Sequence, residues 1–525
     1  MFHRVLLGLA AATAVAAAIT VAGAAITDDA DLCGDDNAEP SARADACTRL
    51  TRSGKYRGNN LAAVYNNRGI AYRRQNELQR AHSDYTEAIR LNPQYDKAYY
   101  NRALLWSARN NAAQAIEDYT RAIKINSRFA DALNNRGLLW QAKGEGDQAL
   151  GDYDDAIRAN PRMAKAFFNR GMIHAEKGDF DRALADYKEA IRLDPSDAAA
   201  YLNRGNAWQR RNEHDRAVAD YTEAERLNPR DPDNYFNRGN AYRLKGDLDK
   251  AIADYDAAIR LAPGYVAAYN NRALAWHGKG DYDRAIADAG EAVRLDPRYF
   301  RAYINRADSF FAKGEERRAI ADYDEALRVG PRASSALKGR ARALRAIGEH
   351  DSALTDLDQL IETDPTDAVA FNNRGVVWEV KGDLDRAVAD YSEAIRLDAR
   401  YALAYRNRAN MFARSGDLDR AIADYAQAIR FSPSDATALL KRGEALQKLG
   451  KLSAAREDAD RAVALAPERA DAYLVRANVM TALGRRDDAR KDYRKALDLT
   501  PSEDVRRRAE AGLRELGAAV GNRPE

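Results

Sequence analysis

AAVYNNRGIAYRRQNELQRAHSDYTEAIRLNPQY, residues 62–95, is the stretch after which most of the chain is patterned. Its Asn67-Arg68-Gly69 returns, with small variations, every 34 residues, thirteen times, with the arginine at Arg68, Arg102, Arg136, Arg170, Arg204, Arg238, Arg272, Arg306, Arg340, Arg374, Arg408, Arg442 and Arg476. A fixed period of this size marks an array in which each unit contacts only its neighbours and presents a binding surface rather than a catalytic pocket. The 525-residue length, which would ordinarily suggest several globular domains, therefore reads mainly as one array.

Counting positions from Ala62, position 8 is always Gly or Ala and position 20 is Ala in all thirteen repeats, from Ala81 to Ala489. Position 24 is usually Tyr, as at Tyr85, Tyr119 and Tyr255, and position 27 is Ala except at Leu360. Positions 20, 24 and 27 share one face of a helix, and their small members let two helices approach closely. Position 15 is Gly in ten repeats and Asn in three, Asn76, Asn110 and Asn212. These two residues best tolerate the left-handed conformation that ends a helix. Asp179 and Asp181 exemplify the acidic residues that follow and can cap the next helix. Position 32 is Pro in eleven repeats, which stops that helix. Each repeat reads as helix, turn, antiparallel helix.

The pattern resembles the tetratricopeptide repeat family. The match lies in the aromatic near position 4, the small residue at 8, the bulky one at 11, Ala at 20, the aromatic at 24, Ala at 27 and Pro at 32. The resemblance implies an all-α, right-handed superhelical solenoid whose first helices line a concave groove for proteins or extended peptides. One departure is position 7, usually Leu in the family and Arg here in every repeat.

That arginine has a partner. Position 23 is Asp in all thirteen repeats, and positions 7 and 23 lie equally far from the turn at 15. The expectation is a repeated bridge, within a repeat or between neighbours, as in Arg68 with Asp84, Arg204 with Asp220 and Arg374 with Asp390. Matched carboxylates argue against these arginines gripping an anionic ligand.

Position 6 is Asn in ten repeats: Asn67, Asn101, Asn135, Asn169, Asn203, Asn237, Asn271, Asn305, Asn373 and Asn407. Asn is mildly unfavourable inside a helix, so its recurrence needs a reason. Its amide can pair with a peptide backbone through both donor and acceptor. The row is similar to the asparagine ladder of the O-linked N-acetylglucosaminyl transferase repeat domain, which implies peptide binding in the groove. The alternative is that these amides cap or bridge neighbouring helices. The row is unbroken for eight repeats and then fails at Gly339, Lys441 and Val475, which places the expected groove in the N-terminal two-thirds. Position 9, with Met172, Asn206, Asn240 and Asn410, varies in a way that could tune specificity.

Other chemistry is absent from the pattern. Lys and Arg total 83 against 80 Asp and Glu, without the basic excess expected of a nucleic-acid binder. No metal-ligand spacing, phosphate loop, nucleophile elbow or catalytic carboxylate pair stands out, so neither an enzyme nor a cofactor or metal is expected. No consecutive repeats supply the family's chaperone-adaptor carboxylate clamp. All five tryptophans, Trp106, Trp140, Trp208, Trp276 and Trp378, stand at position 11, which suits packing. Glu225, in place of an aliphatic residue, reads as a charge reaching solvent. Repeat nine, with Gly339, Leu357 and Leu360, reads as a bend or a junction.

The ends differ from the array. Residues 1–24 read as a cleaved signal peptide or, with the apolar run 5–26, as a membrane anchor, and either one exports the array. The expected location is a bacterial periplasm, or the inner membrane facing it, where a Cys33–Cys47 disulfide is plausible. Residues 25–61 form an N-terminal cap segment, 62–503 the repeats, 504–516 a capping helix and 517–525 a tail. The reading is a non-catalytic scaffold binding protein or extended peptide. Its rival is an envelope-anchored structural protein assembling through array edges and ends without a peptide ligand.

Overall fold

The computed structural model describes residues 29–499 and 501–517. The expectations for residues 1–24 and 5–26, and for the tail beyond Gly517, lie outside the described residues. Within them the regular structure is all-helical, 29 helices in chain order, and no described helix is long and apolar enough to cross a membrane. The chain falls into two compact units that divide after Ala241, inside the first helix of repeat six, Pro232–Leu244. At repeat nine, read from the sequence as a bend or a junction, Leu357 and Leu360 are buried and pack with Leu337 and Leu354 in one cluster.

The first unit opens with helices Asp29–Gly34 and Pro40–Arg52, joined by a disulfide between Cys33 and Cys47. The sulfurs pack with Ala46, Leu50 and Val64, the last from repeat one. Arg43, only 1% exposed, donates from Nε to the Cys33 carbonyl at 3.0 Å and pairs with Asp36 at 2.8 Å. Closing this loop stabilises the cap by about 3 kcal/mol on the chain-entropy account.

Repeat one, helices Gly58–Arg74 and Leu78–Leu91, shows how the motif is built. Asn76 has φ of 61°, and every position 15 in the array shares this left-handed conformation, from 57° at Asn110 to 85° at Gly416. At this cap the Glu77 amide donates to Tyr72 O at 2.8 Å and the Asn76 amide to Arg73 O at 3.1 Å, which satisfies carbonyls the helix would leave bare. Asp179, Asp281, Asp383 and Asp417 each accept an amide three residues on and so start the second helix of their repeats. Ala81, Tyr85 and Ala88 are fully buried between the two helices. Gly69 is required by this packing, since a Cβ there would stand 2.6 Å from Tyr85 Cε1, as it would between Gly205 and Tyr221.

The second unit carries the rest of the array and ends in helix Glu503–Glu515. Ala509, Leu513 and the following Leu516 cover Leu474, Met480 and Tyr493 of repeat thirteen, as a terminal cap must.

Burial of the position-24 ring pushes the Tyr85 hydroxyl up from 10.0 to about 12. The folded state thus favours the neutral phenol, and that stabilisation is complete below pH 10 and lost as pH rises through about 12. Ultraviolet phenolate titration with parallel circular dichroism should show the position-24 tyrosines ionising only as helicity falls. Full tyrosine ionisation near pH 10 with helicity intact would contradict this packing.

Candidate peptide-binding face

The first helices of successive repeats touch one another, for example those of repeats one and two, three and four, and four and five in the first unit. On these helices positions 5, 6, 7 and 9 carry most of the recurring polar side chains. What those side chains can offer a partner depends on how many are already committed inside the protein.

Position 7 is committed. In twelve repeats its arginine donates from both Nε and Nη2 to the two oxygens of the position-23 aspartate of the same repeat, at 2.5–2.9 Å. Arg68–Asp84, Arg204–Asp220 and Arg374–Asp390 are among these pairs. The aspartates are buried. The third nitrogen reaches the preceding repeat: Arg136 Nη1 donates to Thr120 at 3.0 Å, Arg170 to Asp154 at 2.6 Å, Arg374 to Asp358 at 2.7 Å and Arg408 to Ser392 at 3.0 Å. Glu225 keeps part of its side chain in solvent, as the sequence suggests, and its carboxylate also pairs with Arg238.

The position-6 amides divide into two sets. Asn101 donates to Asn66 at 2.8 Å, Asn169 to Asn134 at 3.0 Å, Asn305 to Asn270 at 2.7 Å and Asn407 to Asn372 at 3.0 Å. Every acceptor stands at position 5 of the preceding repeat. Asn135 follows the same rule, donating to the Tyr100 hydroxyl at 3.3 Å. Asn67 and Asn271 accept from their neighbours Asn66 and Asn270, at 3.5 and 2.9 Å. Asn101 and Asn169 are buried. Asn203 and Asn237 differ because Phe168 and Leu202, at the preceding position 5, have nothing to accept with. Asn203 donates only to the Ala199 carbonyl of its own helix, at 2.9 Å, and Asn237 makes no side-chain hydrogen bond among the described residues.

Position 9 is also partly committed. The buried Tyr221 hydroxyl donates to Asn206 at 2.8 Å, Tyr425 to Asn410 at 2.6 Å and Tyr323 to Asp308 at 2.6 Å. The tryptophans are half-buried, and three lie beneath an arginine of the second helix, Arg216 4.6 Å from the Trp208 ring centre, Arg284 4.5 Å from that of Trp276 and Arg386 4.0 Å from that of Trp378.

The cavity in the second unit was missed by the sequence reading. It has a volume of about 540 Å³ and lies over repeats eight to eleven, where Gly339 interrupts the asparagine row. Asn373 and Asn407 line it. Gly339 and Leu357, which stand where most repeats have Asn at position 6 and Tyr at position 24, both line it. A Cβ on Gly339 would fall 2.4 Å from Tyr323 Cζ. Both exceptions are visible in the sequence, but only the structure shows that they adjoin one space.

This architecture defines a class, and sequence comparison gives its family. Tetratricopeptide repeat models match overlapping segments running from 107 to 368, and again 440–504 and 62–95, and a TPR repeat model matches 381–416 and 409–450. The chain belongs to the tetratricopeptide repeat family, whose members act as protein-interaction scaffolds. No curated protein matches it. Among solved structures it is similar to YrrB, a TPR protein with an unusual peptide-binding site, at 23% identity over 36% of this chain and 96% of that one, with TM-score 0.33. It is similar to the Cut9–Hcn1 hetero-tetramer of the APC/C at 14% identity over 90% and 98%, with TM-score 0.41, and to yeast Tom70 at 17% over 81% and 96%, with TM-score 0.40.

Asn101→Ala should remove a buried inter-repeat bond and strand the Asn66 acceptor, which is 3% exposed. The expected cost is about 1–3 kcal/mol, read as faster amide hydrogen exchange in repeats one and two. Unchanged exchange there would show that the Asn66–Asn101 bond does not hold the repeats together.

Proposed function

We propose that this protein is a non-catalytic scaffold that holds an extended segment of a partner protein against its first-helix face. The reading is carried by Asn203 and Asn237, adjacent in the row, whose amides make no bond to a neighbouring repeat among the described residues. An amide of this kind offers a donor and an acceptor at the spacing of one repeat, so it can bond a peptide backbone whatever the side chains. The other amides of the row support it by fixing the stacking of the helices that carry them. Residues 1–26 and the Cys33–Cys47 disulfide favour an exported protein working in an oxidising compartment.

The rival role is assembly through array edges and ends without a peptide ligand, and its use of the ends is disfavoured by the ends themselves. The disulfide-linked helices cover Val64 of repeat one, and helix Glu503–Glu515 covers repeat thirteen.

A random-peptide display library panned on the full chain tests the reading. The double variant Asn203→Ala, Asn237→Ala should keep its melting temperature and lose about tenfold in peptide retention, the worth of one to two hydrogen bonds. Retention equal to the unsubstituted protein would remove the row from the binding site.

A further inference from the structure

The cavity at repeat nine has a chemistry of its own. Lys338, Arg342 and Arg345 occupy positions 5, 9 and 12 of helix Ser334–Ala346, spacings that put all three on one helix face. Two are engaged: Lys338 pairs with Asp367 at 2.5 Å, and Arg342 pairs with Asp308 at 3.0 Å while lying 4.3 Å from the Phe311 ring centre. Arg345 lines the cavity and has no hydrogen-bond or ion-pair partner among the described residues.

An amide donor faces the same space. Asn372 is 1% exposed and lines the cavity, and its Oδ1 accepts from Asn407. In repeats one, three and seven the equivalent amide, on Asn66, Asn134 and Asn270, donates to the adjacent position-6 oxygen. Asn372 makes no such bond to Asn373, and its N–H groups have no acceptor among the described residues. The amide opens on the cavity, where it can donate to a ligand that brings an acceptor.

The opposite wall is apolar. Leu357 and Val377 are each 1% exposed, and Val376 and Leu403 complete it, with Leu403 37% exposed to solvent. The pocket therefore offers one unengaged cation and one unspent amide donor beside an aliphatic surface. A group that only accepts hydrogen bonds and carries one negative charge fits the polar side. One unpaired cation balances a carboxylate and falls short of a phosphate dianion.

We propose that this cavity is the anchor pocket for an acidic side chain next to an apolar one in a bound peptide segment. The carboxylate bonds Arg345 and the Asn372 amide, and the apolar neighbour packs on Leu403 and Val376. The proposal rests on the peptide-binding reading and supplies its sequence preference. Position-6 amides read backbone alone, whereas this break in the row reads side chains.

The test is the same panning of the full chain, with peptides displayed between fixed flanks so that no free C-terminal carboxylate is present. Arg345→Glu is the informative variant, because the exposed guanidinium has no internal partner to lose and helicity should be unchanged. The unsubstituted protein should enrich Asp or Glu beside Leu, Ile, Val or Phe, and Arg345→Glu should lower that enrichment about tenfold and favour Lys or Arg instead. Retained acidic–apolar enrichment in Arg345→Glu, or peptides captured without any acidic preference, would overturn the pocket while leaving the peptide-binding reading in place. If the Asn203→Ala, Asn237→Ala variant keeps the acidic–apolar enrichment, the pocket stands and the row falls. Capture of no peptide by the unsubstituted protein overturns both.

Discussion

The bidentate bond between the position-7 arginine and the position-23 aspartate is the constraint on which each repeat depends. Two helices that meet through Gly, Ala and a Tyr ring have little side-chain volume with which to fix their relative rotation. A planar guanidinium against a buried carboxylate fixes it, since both N–H vectors must point at both oxygens. Where the second helix of the preceding repeat offers Thr, Ser or Asp, the remaining Nη1 ties the repeats together as well. The family's usual leucine at this position could fill space but could not do both. Burying so many charges is tolerable only because each is paired.

The face that results is largely used up by the array itself. Polar side chains at positions 5, 6 and 9 mostly satisfy one another or a buried tyrosine hydroxyl, so recurrence of a polar residue is weak evidence that it meets a ligand. The better evidence is a donor or charge that the array fails to match. Asn203, Asn237, Arg345 and Asn372 are such groups, the first two in one compact unit and the last two in the other.

Much of this was legible in the sequence. The 34-residue period, the Gly or Asn at position 15 and the Gly–Tyr pairing each impose a local geometry, and the helical hairpins follow directly. The partition of the asparagines was not legible, because the partner of Asn101 is Asn66, one place out of phase with the repeat. Phe168 and Leu202, which leave Asn203 and Asn237 without a neighbouring acceptor, look like ordinary apolar residues until position 5 is known to be the acceptor position. Gly339 and Leu357 stood out in the sequence, yet they lie 18 residues apart, and no one-dimensional pattern displays that both line one cavity.

The central claim is that the arginine row is internal structure and not a ligand grip, and a double-mutant cycle on Arg204 and Asp220 tests it most directly. This pair is suited to the task because Lys188 stands where other repeats place an acceptor for Nη1, so the cycle isolates the hairpin bond. Denaturant unfolding should show Arg204→Leu and Asp220→Leu each losing about 3–5 kcal/mol. The double variant should lose less than their sum, by about 0.5–3 kcal/mol. Unchanged stability in Arg204→Leu together with lost peptide retention would contradict the account and return the arginines to the binding site.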